Sequence, residues 1–220
     1  MAVASNFAPV AKEIAQRFEN ETGHKVTLAT GSTGQHYAQI VNGAPFDVFL
    51  AADDERPALL EQAGLAIMDS RFTYALGQLV LWSTKEGFAS EENLSSESYR
   101  YLSIANPRLA PYGVAAIEFL QNKGIKDIVE PKLVLGENVT QSFQFVQSGS
   151  AQLGFVSLAQ VLSWRESNAG YFWPIDPSWY SPIRQQAILL SDNTESREFM
   201  HFLQTETARQ IIRAAGYELE

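Results

Sequence analysis

Apolar positions along this chain fall into two alternating rhythms. Val10, Ala11, Ile14, Ala15 and Phe18 stand three and four residues apart, which is one face of a helix, and Gly23 follows as a stop. A short strand-like run, residues 2–4, precedes this helix, and a β-branched run at 26–30 follows it. The turn Gly31-Ser32-Thr33-Gly34 then leads into a second helix, marked by Tyr37, Ile40 and Val41 and ended by Gly43. A strand at 46–51, the pair Asp53-Asp54 and a helix at 55–63 complete a βαβαβα series. Such an order predicts a parallel sheet with helices on its faces, because parallel strands need crossover connections.

Residues 72–83 break the rhythm with one extended run that has Gly77 in its middle and is too long for an ordinary strand. It is expected to leave one sheet and enter another. After a polar Ser/Glu-rich stretch at 86–100, expected as a loop or short exposed helix, the βα pattern restarts. Strands are expected at 102–105, 132–135 and 153–156, and helices at 114–120 and 141–147. An aromatic, proline-broken stretch around 171–182 reads as irregular, 184–191 as a return strand, and 195–204 and 207–215 as closing helices before Gly216. The sequence therefore predicts an α/β protein of two lobes, residues 1–77 with 185–220 and residues 78–184. Each lobe is expected to hold a mainly parallel sheet flanked by helices, with two crossover strands forming a hinge. A ligand cleft is expected between the lobes, where strand carboxyl ends and helix N-termini meet.

Composition narrows the possible partners. With 220 residues, 45% of them hydrophobic, the chain can bury a sizeable core. A formal charge of -9 and a pI near 4.9 argue against nucleic acid or an anionic membrane as partner. The lack of cysteine removes disulfides, thiolate metal sites and cysteine nucleophiles. No apolar run is long enough to span a membrane. No basic region followed by an apolar stretch opens the chain, so no export signal is read here, and Met1 before Ala2-Val3-Ala4 reads as a start residue on a trimmed sequence.

Four polar stretches stand between a strand-like and a helix-like run: Ser5-Asn6, Thr33-Gly34, Pro111-Tyr112-Gly113 and Asn138-Val139-Thr140. A helix N-terminus carries unpartnered N–H groups and about half a positive charge, so it attracts anions. Ser5, Asn6, Thr33 and Thr140 are expected to add side-chain donors, and none of these turns contains Lys or Arg. Any one of them is equally an ordinary helix cap. The set of four, two in each lobe, points to a small dianion held by hydrogen bonds and dipoles.

The segments Ala4-Ser5-Asn6-Phe7, Gly31-Ser32-Thr33-Gly34, Gln39-Ile40-Val41-Asn42-Gly43-Ala44-Pro45-Phe46-Asp47-Val48-Phe49 and Ala52-Asp53 resemble the periplasmic molybdate-binding proteins of bacterial molybdate ABC transporters. Asn106-Pro107, Ala110-Pro111-Tyr112-Gly113, Leu153-Gly154-Phe155-Val156 and Ala214-Ala215-Gly216-Tyr217 continue the resemblance along nearly the whole chain. It implies a type II periplasmic-binding-protein fold that clamps molybdate or tungstate in the cleft and hands it to a membrane permease. The oxyanion-binding residues it implies are Ser5, Asn6, Thr33, Tyr112 and the main-chain N–H of Val139, with Ser157 as an additional candidate. Molybdate or tungstate is then the ligand, held through those same residues, with no other metal and no cofactor. The resemblance further implies a periplasmic, monomeric protein that neither inserts into the membrane nor binds nucleic acid.

Other features have simpler readings. Asp53-Asp54-Glu55 fits a helix cap better than a hard-cation site. His24, His36 and His201 lack metal-ligand spacing, and the aromatic residues from Tyr171 to Tyr180 are expected to pack in the core or between lobes. Neither a GxSxG elbow, a P-loop, a GxGxxG nor an HExxH occurs, so the chain does not read as an enzyme. Two alternatives to transport are a cytosolic oxyanion-sensing regulatory domain and a binding protein for another tetrahedral oxyanion such as sulfate.

Overall fold

Helix α1 (Ala8–Thr22) buries all five of its periodic apolar residues and follows the fully buried strand β1 (Ala2–Ala4). The structure, a computed structural model, describes residues 1–165 and 168–220. Strand β2 is confined to Ala29–Gly31, shorter than the run 26–30 suggests. Its one neighbour is the three-residue β1, with Ala2 opposite Ala29 and Ala4 opposite Gly31, and the Val26 N–H is taken instead by the Glu19 carboxylate at 2.7 Å. An edge strand cannot outrun its only partner. Helix α2 (Thr33–Val41) opens on a capping box between Ser32 and Gln35. Strand β3 (Val48–Leu50), helix α3 (Glu55–Gln62) and strand β4 (Phe72–Gly77) follow.

The chain divides into two compact units, residues 1–76 with 184–220 and residues 77–183. The second unit begins with β5 (Leu79–Ser83), so the long run at 72–83 is two strands in two sheets. Then come α4 (Glu91–Leu94), β6 (Leu102–Ala105), α5 (Pro111–Asn122), α6 (Lys126–Val129), β7 (Leu133–Gly136), α7 (Val139–Gln147), β8 (Leu153–Ser157), α8 (Leu158–Arg165) and β9 (Tyr171–Pro174). Its sheet has the order β7-β6-β8-β5-β9, with β6 parallel to β7 and β8, and β5 antiparallel to β8 and β9.

Three features of this unit depart from the sequence reading. Helix α5 begins at Pro111 rather than 114, because proline suits the first helical position, where its missing N–H is not needed. Helix α7 likewise begins at Val139 rather than 141. Residues 171–174, read as irregular, form the edge strand β9, where Pro174 is tolerated because only one side of the strand pairs. Phe172, Trp173, Trp179 and Tyr180 join this unit's core, whereas Tyr171, expected to pack, is exposed at the edge of the sheet: Trp173 packs edge-on against Phe119, with centroids 5.9 Å apart, and the Tyr180 hydroxyl accepts from the Leu79 N–H at 3.2 Å. Trp82 stacks on Phe143 at 4.2 Å in the same core.

The chain returns to the first unit through β10 (Ile183–Leu189), α9 (Thr194–Phe202) and α10 (Glu206–Ala214). The first sheet has the order β2-β1-β3-β10-β4, so the return strand enters between β3 and β4 rather than at an edge. β1, β2 and β3 run parallel, and β10 runs antiparallel to β3. In each unit the three parallel strands bring their carboxyl ends, and hence the starts of the following helices, to one edge.

Candidate anion-binding residues

In the first unit the parallel register sets Ala4 beside Gly31, so the turns that follow β1 and β2 are neighbours. The Ser5 N–H donates to Gly31 O at 2.9 Å, which links the two turns. That N–H is therefore already used, whereas the Ser5 hydroxyl makes no hydrogen bond among the described residues. Thr33 is the first residue of α2 and is 1% exposed. Its Oγ1 accepts from the Ala52 N–H, just past β3, at 3.0 Å. One hydroxyl thus joins the ends of β2 and β3 and keeps its own proton for another acceptor. Thr33 and Gly34 precede the first intrahelical donor, so the helix itself gives their N–H groups no partner.

Asn6 differs from the expectation of a side-chain donor. Its Nδ2 donates both protons inward, to Gln185 Oε1 at 2.9 Å and to the Tyr217 hydroxyl at 3.1 Å. The Tyr217 hydroxyl in turn donates to Asn6 O at 2.9 Å. Of the Asn6 N–H groups, only the main-chain one lacks an acceptor among the described residues. The partners Gln185, Tyr217 and Tyr74 escaped the sequence reading as site elements, although Gly216-Tyr217 stood among the segments that carried the resemblance.

In the second unit α5, α7 and α8 start at the ends of β6, β7 and β8. Tyr112, second in α5, is buried, and its hydroxyl donates to Ser157 Oγ at 3.1 Å. Ser157 itself is fully buried at the end of β8, and its N–H donates to Gln160 Oε1 at 3.4 Å. The Gln160 Nε2 then donates to Thr140 Oγ1 at 3.0 Å. This chain of bonds joins the first turns of α5, α8 and α7 and brings Tyr112, Ser157 and the Val139-Thr140 pair into one group. Ser157 serves there as a brace for Tyr112. The role of Gln160 had no signal in the sequence.

The Val139 and Thr140 N–H groups also precede the first intrahelical donor of α7. Asn138 caps that helix by accepting from the Gln141 N–H at 3.0 Å. Helix α7 is fixed on the sheet through Ser103, whose hydroxyl donates to Ser142 O at 2.7 Å. Helix α5 sits equally tight: a Cβ on Gly113 would fall 2.1 Å from Ala105 O, so only glycine allows this approach.

Asp53, after β3, is paired with the Arg56 guanidinium and accepts from the Arg56 N–H at 3.0 Å. Burial pushes its carboxyl above the usual range while Arg56 pulls it back. Asp53 is thus the capping residue of the acidic trio; Asp54 makes no cap bond. His36 is buried between Gln39 Oε1 at 3.1 Å and Val3 O at 3.2 Å, and burial lowers its pKa. Among the described residues no group of three or more His, Asp or Glu could hold a metal ion, and no helix is long and apolar enough to cross a membrane.

Two α/β units, each offering uncharged donors at the N-termini of helices that follow parallel strands, define the class: a two-lobed solute-binding protein of the periplasmic-binding-protein fold. A sequence profile of the bacterial extracellular solute-binding proteins matches residues 1–218. The chain is 45% identical to the molybdate-binding protein ModA of Azotobacter vinelandii, over 100% of this chain and 89% of the relative. It is 42% identical to the ModA of Rhodobacter capsulatus, over 100% and 87%. The solved periplasmic molybdate-binding protein of Azotobacter vinelandii superposes with a TM-score of 0.93 and 39% identity, covering 100% of this chain and 98% of that one. The chain belongs to the bacterial extracellular solute-binding proteins, and within them to the family of the molybdate-binding proteins. A sulfate-binding protein of Mycobacterium tuberculosis shares the fold at a TM-score of 0.79 with 12% identity, over 98% of this chain and 84% of that one. These relatives are substrate-binding proteins rather than enzymes.

Proposed function

We propose that this chain binds molybdate or tungstate and delivers the anion to the permease of an ABC importer. The donors are the Ser5 hydroxyl, the Asn6 N–H, the Thr33 hydroxyl and N–H, and the N–H groups of Tyr112 and Val139. The observation that carries the reading is that this set supplies several uncharged hydrogen-bond donors. Thr33 Oγ1 accepts from the Ala52 N–H, so its own proton remains to be given to a ligand. A group of donors suits a fully deprotonated dianion, every oxygen of which accepts hydrogen bonds. Sulfate has the same charge and shape, so its rejection rests on the larger size of the preferred anion. The protein acts as a monomer in the periplasm.

Calorimetric titration of one sample with molybdate, tungstate, sulfate and phosphate tests the reading. Molybdate and tungstate should bind at micromolar concentration or tighter, with sulfate at least ~100-fold weaker, a difference of about 2.7 kcal/mol. Equal affinity for sulfate would remove the size argument, and no heat with any of the four would remove the anion reading.

A further inference from the structure

We infer that the Asn6 carboxamide, with Gln185 and Tyr217, is a positioning device that holds the first anion turn in its binding geometry and fastens it to the two strands through which the chain passes between units. The inference rests on the oxyanion reading above. Asn6 is 2% exposed and its Nδ2 protons are both committed, at 2.9 and 3.1 Å, so its side chain cannot donate to a ligand without breaking a bond. The Tyr217 hydroxyl closes a ring on Asn6, accepting from Nδ2 and donating to the main-chain oxygen at 2.9 Å. With side chain and carbonyl both held, the direction of the peptide groups around Asn6 is set before any ligand arrives. A donor fixed in advance avoids the ordering cost of binding.

The partners lie where the chain changes unit. Gln185 is the second residue of the first unit after the chain returns, on β10. Tyr74 is on β4, just before the chain leaves, and its hydroxyl lies 3.1 Å from Gln185 Oε1 and 3.0 Å from Ala51 O. Gln185 and Tyr74 are fully or almost fully buried, so water cannot replace these bonds cheaply. The network therefore connects residues 6, 74, 185 and 217, and movement of either crossing strand is felt at the Asn6 peptide.

The test is a double-mutant cycle on molybdate affinity, measured by calorimetry on the full chain. Gln185→Met removes the acceptor at similar volume, and Tyr217→Phe removes only the hydroxyl. Each should weaken molybdate binding about tenfold. Asn6→Ala, which keeps the main-chain N–H, should weaken it to the same degree, and adding either other substitution to Asn6→Ala should cost nothing more. That non-additivity is a readout that a general loss of stability would not produce. Unchanged affinity in Gln185→Met and Tyr217→Phe, or additive losses in the combined variants, would overturn the inference. Where Gln185→Met fails to fold, the Tyr217→Phe and Asn6→Ala arm completes the cycle. If the wild-type protein itself does not bind molybdate, the oxyanion reading has failed and the inference falls with it, a result visible before any variant is made.

Discussion

Thr33 holds the frame with one side of its hydroxyl and, in the proposed function, serves the ligand with the other. Its hydroxyl accepts from the Ala52 N–H and keeps a proton to give. Thr33→Val should therefore weaken molybdate binding by about 1 to 3 kcal/mol, read by calorimetry, and also lower the stability of the ligand-free protein, because the Ala52 N–H is left buried without an acceptor. Thr33→Ser should preserve most of both. His36 gives a prediction of a different kind. Burial depresses its folded pKa below the ordinary value of 6.5, so it is neutral when folded and takes up a proton more readily when unfolded. Its contribution is thus present above the unfolded pKa and is lost as pH falls from 6.5 toward the folded pKa. Urea unfolding across that window should show stability declining on acidification, and His36→Gln should flatten the decline.

At the scale of elements, the first turns of the helices are the parts that must not move. Gly113→Ala would drive a Cβ into Ala105 O, which is backbone and cannot step aside. The substitution should cost ~2 kcal/mol or more in chemical unfolding and should weaken anion binding together with it, since α5 would lift off β6. Asn138→Ala removes the cap of α7 and should cost about 1 kcal/mol. These same positions explain what the sequence disclosed. Helices with regular apolar spacing, such as α1, were legible from their buried face, and the starts of α5 and α7 only to within two or three residues, because Pro111 and the Asn138 cap precede the apolar spacing. Short strands were less legible: β2 is cut by the length of its neighbour, and β9 is masked by Pro174 and the prolines that follow it, and both are properties of pairing rather than composition. The Asn6, Gln185 and Tyr217 network was invisible for a related reason. Gln185 reads as an ordinary polar strand residue, and only the sheet order brings it beside a turn 179 positions away.

For the whole molecule, ligand linkage gives the simplest check. Molybdate at ~100 times its dissociation constant should add about 2.7 kcal/mol of stability, and equal sulfate should add far less. In a chain of this length that corresponds to a rise in Tm of roughly 5 to 10 °C, which a thermal scan resolves. The two units also differ in how they depend on the rest of the chain. Residues 77–183 are continuous and carry their own five-stranded sheet and core, so the fragment 77–183 should fold alone with a cooperative transition by circular dichroism. Residues 1–76 lack β10, which lies between β3 and β4, and should not.

The insertion of β10 at an inner position of the first sheet also sets a biosynthetic order. Until residue 189 has left the ribosome, β3 has no partner on that side and β4 has no place in its sheet. Gln185 emerges with that same strand and Tyr217 later still, so the Asn6 turn stays unbraced through most of synthesis. The segment made second is the one able to finish first, and the Asn6 turn gains its bonds to Gln185 and Tyr217 only once those later residues are in place.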